Sequence, residues 1–342
     1  MGQLIDEKGF AEGREVAHRI WRRAENSSAI PDPRLPAFAA GVLSGFAEAA
    51  DATGQILRDV IENAGASAEG LNIDVFQGIV EVLQNADDLD ATEVRIALSA
   101  DGDRRQLLIV HDGAPVTCHH VLPMVLPFLT TKSGEADLKG RFGIGLKTLG
   151  RIAEAMTIHS APYHFVADGL NIAKVNPEPA LRGFYTPGLD TLLRLDLVAG
   201  FEPERLEAWF EDWSEDGLLF LRSVKRFAWR DLESGIERAK AVEPGDWTEV
   251  PLRGGVLATL ETRRVEGSEG GWTVFKAVLP TEPSIPRAHK ATGATTALSF
   301  ALADHQHVAG VFVAFRTRLP VSLPFSIDGQ FDPSTAREGL IE

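Results

Sequence analysis

The sequence predicts an α+β fold, a mixed and mostly antiparallel sheet layered against helices, and two observations carry that expectation. Between residues 73 and 112 the chain runs helix, strand, tight turn, strand, which sets neighbouring strands antiparallel and departs from the βαβ alternation of a parallel sheet. Beyond residue 200 the pattern changes to one helix followed by successive short strand-like segments, so a second α+β unit follows the first. The expected organisation is a helical segment over 1–70, a two-layer α/β sandwich over 71–200 and a second α+β domain over 201–342.

Taken in order, residues 12–24 and 37–50 show helical spacing, and Pro31, Pro33 and Pro36 forbid one continuous helix. A third helix is expected over 53–63, ended by the glycines between 65 and 70. In the helix at 73–88, Phe76, Ile79, Leu83 and Ala86 fall on one side, while Asp74, Gln77, Glu81, Gln84, Asn85 and Asp88 fall on the other. Lysine and arginine are absent between Asp74 and Asp88, so the i,i+4 ion pairs of an ordinary solvated helix are missing. A positive group from elsewhere, such as a hydrated metal ion, is expected to complete that face.

Residues 93–99 alternate with period two, Asp101-Gly102 marks a hairpin, and 106–112 is an apolar strand ending on Asp112 and Gly113. The connection 113–139 is long for a compact domain, which points to a lid. Gly140-Arg141-Phe142-Gly143-Ile144-Gly145-Leu146-Lys147 is a glycine-rich turn opening a helix that is expected to run to 155. Glycines let a backbone approach a phosphate, and a helix N-terminus presents free N–H groups to it. The polar helix face, the acid at a strand end and the glycine turn together read as a nucleotide site. Strands are then expected at 156–160, 163–167, 170–175 and 191–197, a helix at 203–213, and strands at 219–229, 235–241, 248–252, 256–262, 272–279, 295–303 and 308–315.

The totals set limits. Hydrophobic residues make up 44% of the 342 and charged residues 24%, ordinary for a globular chain of two or three domains. No apolar run reaches the roughly 18 residues of a membrane helix, and the start carries no secretory pattern, so a cytoplasmic protein without membrane partners is expected. Cys118 is the sole cysteine, which rules out an intrachain disulfide. A net charge of −15 argues against nucleic acid as the main partner, because that binding draws on clustered Lys and Arg. Two local basic rows, Arg14/His18/Arg22 and Arg222/Arg226/Arg230, read as solvated faces.

Glu81-x-x-x-Asn85-Ala-x-Asp88, then Asp112-Gly113, then Gly140-x-x-Gly143-x-Gly145 resembles the three ordered motifs of the GHKL (Bergerat-fold) ATPases. The texture of Leu-Gln-Asn-Ala-Asp-Asp and Gly-Arg-Phe-Gly-Ile-Gly-Leu-Lys is similar to the sacsin-type, heat-shock-chaperone-like branch. The resemblance implies ATP and Mg²⁺ as cofactors, slow hydrolysis, lid closure, and a protein client or partner, with dimerisation through regions beyond this chain. It implies Glu81 as general base, Asn85 as the Mg²⁺ ligand and Asp88 as its support. Asp112 is implied to accept from the adenine amino group, with Gly113 leaving room for the base. Gly140, Gly143 and Gly145 are implied as the phosphate-facing hinge of the lid, with Arg141 to Leu146 offering N–H groups. Lys147 either reaches a phosphate or lies on the surface. Thr191 resembles the threonine that shares a water with the adenine-binding acid. Asp332-Pro-Ser-Thr-Ala-Arg337-Glu-Gly-Leu340 is similar to the middle-domain loop whose arginine reaches the γ-phosphate, against a plain surface arginine. The second motif departs from the family's Asp-x-Gly-x-Gly, since Asp112-Gly-Ala-Pro-Val lacks the spacer and the second glycine. Related modules occur in chaperone and phage-defence systems.

Other chemistries fit less well. Gly140-x-x-x-x-Gly145 is followed by Leu146-Lys147-Thr148, which sets the Lys-Thr pair one residue late for a P-loop. The glycine order is also wrong for a Rossmann turn. His119-His120 and His305-x-His307 lack the carboxylate company of a zinc site. The non-enzymatic alternative is a nucleotide-switched interaction scaffold that binds ATP without hydrolysing it.

Overall fold

The computed structural model describes residues 2–22, 30–55, 59, 63, 76–101, 104–125, 149–168, 170–213, 215–265, 270–280, 295–313, 315–317, 319 and 321–329. The glycine-rich turn at 140–147, the expected lid beyond residue 125, most of the 53–63 helix and Arg337 lie outside the described residues.

The chain opens with two helices, α1 (Gly2–Trp21) and α2 (Pro36–Asp51). They cross backbone to backbone because glycines line the contact. A Cβ at Gly13 would lie 2.0 Å from the Phe38 carbonyl oxygen, and one at Gly41 would lie 2.0 Å from that of Phe10. Pro36 sits in the first turn of α2, where its missing N–H costs nothing. Of the basic row Arg14/His18/Arg22, Arg14 and His18 close on Glu48 of α2 at 2.8 and 3.4 Å.

The proline-bearing connector is pinned through Asp32. Its carboxylate accepts from the Tyr163 hydroxyl at 2.6 Å and from the Cys118 backbone N–H at 2.7 Å. The second bond satisfies a donor in the first turn of α4 (Cys118–Val125), which otherwise has no intrahelical partner. Burial first, and then the Asp32 carboxylate, push the Cys118 thiol up to about 12. The lone cysteine is therefore an inert core residue.

The remaining elements build an α+β molecule around a large mixed sheet. α3 (Gln77–Asp88) precedes β1 (Glu93–Asp101) and β2 (Arg104–His111), and after α4 come β3 (Ala153–Ser160), β4 (Tyr163–Asp168), β5 (Asn171–Lys174) and β6 (Thr191–Leu197). Then follow α5 (Pro203–Asp212), a 3₁₀ turn (Glu215–Leu218), β7 (Arg226–Arg230), β8 (Glu237–Pro251), β9 (Leu257–Val265), β10 (Gly271–Pro280), β11 (Thr295–Ala303), β12 (Val311–Val313), β13 (Phe315–Arg316) and β14 (Ser326–Gly329). Among the described residues the strand order is β13-β12-β14-β11-β10-β9-β8-β7-β1-β2-β6-β3-β4-β5. Pairing is antiparallel except for β1 with β7 and β12 with β14.

Strand alternation sorts the two faces. Ile96, Leu107, Ile109, Ile158, Phe165 and Leu195 share a core with Ile79 and Leu83 of α3, while Ala97, Leu108, Val110 and Leu192 point the other way, under Phe184 and Tyr185. On either side of the turn expected at 101–102, β1 and β2 pair antiparallel, with Asp101 opposite Arg104.

Several expectations need correction. The helix expected to reach 155 gives way to β3 at Ala153, because Met156 and Ile158 bury against β6. The strand expected at 219–229 begins only at Arg226; the backbone N–H groups of 222–224 that a ladder would use are bound by Asp87 instead. The segments 235–241 and 248–252 are one strand, β8, with a register shift between Pro244 and Trp247 inside it. The strand expected at 308–315 is divided between β12 and β13, and β14 lies beyond the expected set.

The sheet does not divide at residue 200. β7 lies beside β1, and α5 buries Leu206 and Phe210, the latter 5.2 Å from the Phe227 ring of β7. β8 pairs with β7 through its first residues and with β9 through the rest, so one strand joins the two parts of the sheet.

Candidate functional site

Of the residues singled out at 81–113, Gly113 lies against the C-terminal end of α3, where the Ala114 N–H donates to the Leu89 carbonyl oxygen at 2.7 Å. On α3, Ile79, Leu83 and Ala86 are fully buried, whereas Glu81, Asn85 and Asp88 lie half-exposed. Gln77 donates its side-chain N–H to Glu81 Oε1 at 3.2 Å, one turn away. The expected two-sided helix is present from Gln77 onward, with one exception. Gln84, expected on the polar face, is only 2 % exposed, and neither its Oε1 nor its Nε2 has a hydrogen-bond partner among the described residues. A buried primary amide with both ends unmet costs free energy and points to a polar group that completes it.

At its C-terminal end α3 meets Arg222 of the same chain. Arg222 donates to the Asp87 and Asp88 carbonyl oxygens at 3.3 and 3.4 Å and pairs with Asp90 at 2.7 Å. A cation placed on the last carbonyls suits the helix dipole. Asp87 accepts backbone N–H bonds from Arg222, Ser223 and Val224 at 3.0, 2.7 and 2.9 Å, which holds α3 firmly against the 222–224 segment. The row Arg222/Arg226/Arg230 is therefore engaged within the molecule, since Arg226 pairs with Glu93 and Glu237, and Arg230 with Glu237 at 3.4 Å.

Asp112 stands at the end of β2 as expected, yet its carboxylate is turned to the start of β1. One oxygen accepts from the backbone N–H groups of Thr92 and Glu93 at 2.8 and 3.0 Å, and the other accepts from the Thr92 hydroxyl. Partial burial opposes ionisation, but these donors outweigh it and hold the carboxyl below its ordinary value. Gly113 has a packing reason to be glycine. A Cβ there would come within 2.8 Å of the Leu89 carbonyl oxygen and 2.9 Å of the Ala91 nitrogen, at the C-terminal end of α3.

Beside Asp112 lies a row that the sequence reading only half identified. Thr191, opposite His111 in the β2–β6 ladder, is buried and shares a hydrogen bond of 2.7 Å with the Ser160 hydroxyl. Ser160 Oγ also accepts from the Val116 N–H at 2.9 Å. His111 Nδ1 accepts from the Gly113 N–H at 3.2 Å, and burial depresses its pKa to about 4, so the ring is neutral near pH 7. His111 and Ser160 were legible only as strand-end polar residues, one preceding Asp112 and the other closing an expected strand.

No family model matches this chain, and no curated protein matches it. Among the described residues, no group of three or more His, Cys, Asp or Glu side chains is arranged to hold a metal ion, and no described helix is long and apolar enough to cross a membrane. His119 Nε2 lies 2.8 Å from the Ile30 carbonyl oxygen, and His305 and His307 pack edge-on against Trp272. A cleft of about 640 Å³ opens at the opposite end of β2 and β6, lined by Arg104, Arg105, Glu154, Asp196 and Glu202 among others. Mixed charge and the absence of the motif residues set it apart from the site on α3.

Proposed function

We propose that the chain is a Mg²⁺-dependent, GHKL-type ATP-binding protein that hydrolyses ATP slowly. The observation that carries this reading is the half-exposed row Glu81, Asn85, Asp88 on a helix whose opposite side is sealed in the core. The donor set fits the metal and phosphate part of such a ligand, since a carboxylate and a side-chain amide are hard oxygen donors. The unmet amide of Gln84, on the same helix, fits it as well. Asp112 already accepts three hydrogen bonds from Thr92 and Glu93, so a base-recognising role would rest on its remaining acceptor site.

In this reading Asn85 holds Mg²⁺ through its side-chain oxygen, Asp88 supports it, and Glu81 takes a proton from the attacking water. The bound Mg²⁺ supplies charge neutralisation on the phosphates. The clamp of Asp87 on 222–224 keeps α3 from tilting, so the carboxylate stays placed for proton transfer.

Glu81→Ala is expected to retain ATP binding while lowering hydrolysis by about 10²–10⁴-fold, the usual contribution of a positioned base. Phosphate release measured under single-turnover conditions tests this. Unchanged turnover in the variant removes Glu81 from the mechanism, and no turnover in the native chain leaves a nucleotide-switched scaffold in its place.

A further inference from the structure

His159 of β3 and His164 of β4 stand directly opposite each other in their antiparallel ladder, on the sheet face turned away from α3. Their Nδ1 atoms are 3.4 Å apart and their ring centroids 5.5 Å apart, so the two nitrogens point toward one another. That separation is long for a nitrogen-to-nitrogen hydrogen bond, since good contacts end near about 3.2 Å. At the far side of the buried His159 ring, Nε2 has no hydrogen-bond partner among the described residues and lies 3.7 Å from Glu178 Oε2. A buried imidazole with a long contact at both nitrogens is under-satisfied as it stands.

We infer that His159 and His164 are the two protein ligands of a divalent transition-metal ion that favours imidazole, with Glu178 behind His159 and water completing the coordination. Two Zn–N bonds of about 2.0–2.1 Å at a tetrahedral angle span about 3.3 Å, close to the separation of the two nitrogens. A proton on His159 Nε2, facing Glu178, leaves the Nδ1 lone pair for the ion, which is the carboxylate–histidine–metal arrangement that fixes tautomer and ring orientation. Arg194 donates to Glu178 Oε2 at 2.7 Å and holds that carboxylate in place. His159 is buried and His164 half-exposed, so water reaches the ion from the side of His164. With two protein ligands, binding is weaker than at a closed structural site of four.

Calorimetric titration of the full chain with ZnCl₂, in excess MgCl₂, tests the assignment. The native chain is expected to take up Zn²⁺ at this site, His164→Ala to weaken that uptake at least tenfold, and Glu178→Gln to weaken it by about 10–100-fold. Glu81→Ala is expected to leave it unchanged, which separates this site from the one on α3. Far-ultraviolet circular dichroism of each variant verifies the fold. Absence of zinc uptake by the native chain overturns the inference, as does equal affinity in folded His164→Ala.

Discussion

His111 shows how one buried side chain sets a measurable property of the whole. Its imidazole is held at about 4 against an ordinary 6.5 because burial penalises the charged form. The penalty exists only in the folded chain. Its contribution to stability is therefore intact above about pH 6.5 and is lost progressively as the pH falls toward 4, on the order of 3 kcal/mol in total. Denaturant unfolding between pH 7 and pH 4 should show this loss in the native chain and a smaller one in His111→Asn; equal slopes would show that His111 is not its source. At this scale the sequence was informative about residue types and silent about their partners. Glu81, Asn85 and Asp88 were readable as a polar row from helical spacing. That Gln84 would be buried while they stay half-exposed, and that Asp112 would turn back to Thr92, depends on contacts between segments distant in the chain.

Elements were legible where a local period or a breaker decides them. The 93–111 hairpin, with alternation on both sides of Asp101-Gly102, is one case, and the start of α2 at Pro36 is another. Where tertiary contact overrides local preference, the reading failed: the 222–224 segment gives its N–H groups to Asp87, and Pro244-Gly245 is absorbed inside a single long strand. The glycines of α1 and α2 were not read for what they do, because a close crossing shows only when both helices are in view. Gly41→Ala tests that contact directly. Its new methyl group meets the Phe10 carbonyl oxygen at 2.0 Å unless the helices separate, so a destabilisation of about 1–3 kcal/mol is expected in thermal or denaturant unfolding. An unchanged midpoint would contradict the close packing of this pair.

At the scale of the molecule, the order of motifs suggested two folded units in succession, whereas the sheet continues through β7 and β8 into the second half of the chain. The 215–224 segment adds a second link. Asp216 accepts from Arg316 of β13 at 3.1 Å, Arg263 of β9 donates to the Leu219 carbonyl oxygen, and Asp87 of α3 holds 222–224. Hydrogen bonds thus link α3 through the 215–224 segment to β9 and β13, an arrangement that alternating strand patterns cannot announce because it rests on side chains reaching between non-adjacent elements. The general α+β class was readable from the sequence; the junction was not.

The most direct test of the central proposal is a calorimetric titration of the chain with ATP, with and without Mg²⁺, alongside Asn85→Ala. The account predicts one ATP bound per chain, tighter with Mg²⁺ than without it, and loss of that Mg²⁺ dependence in the variant. Absence of ATP binding, or binding in which neither Mg²⁺ nor Asn85 makes a difference, would contradict it.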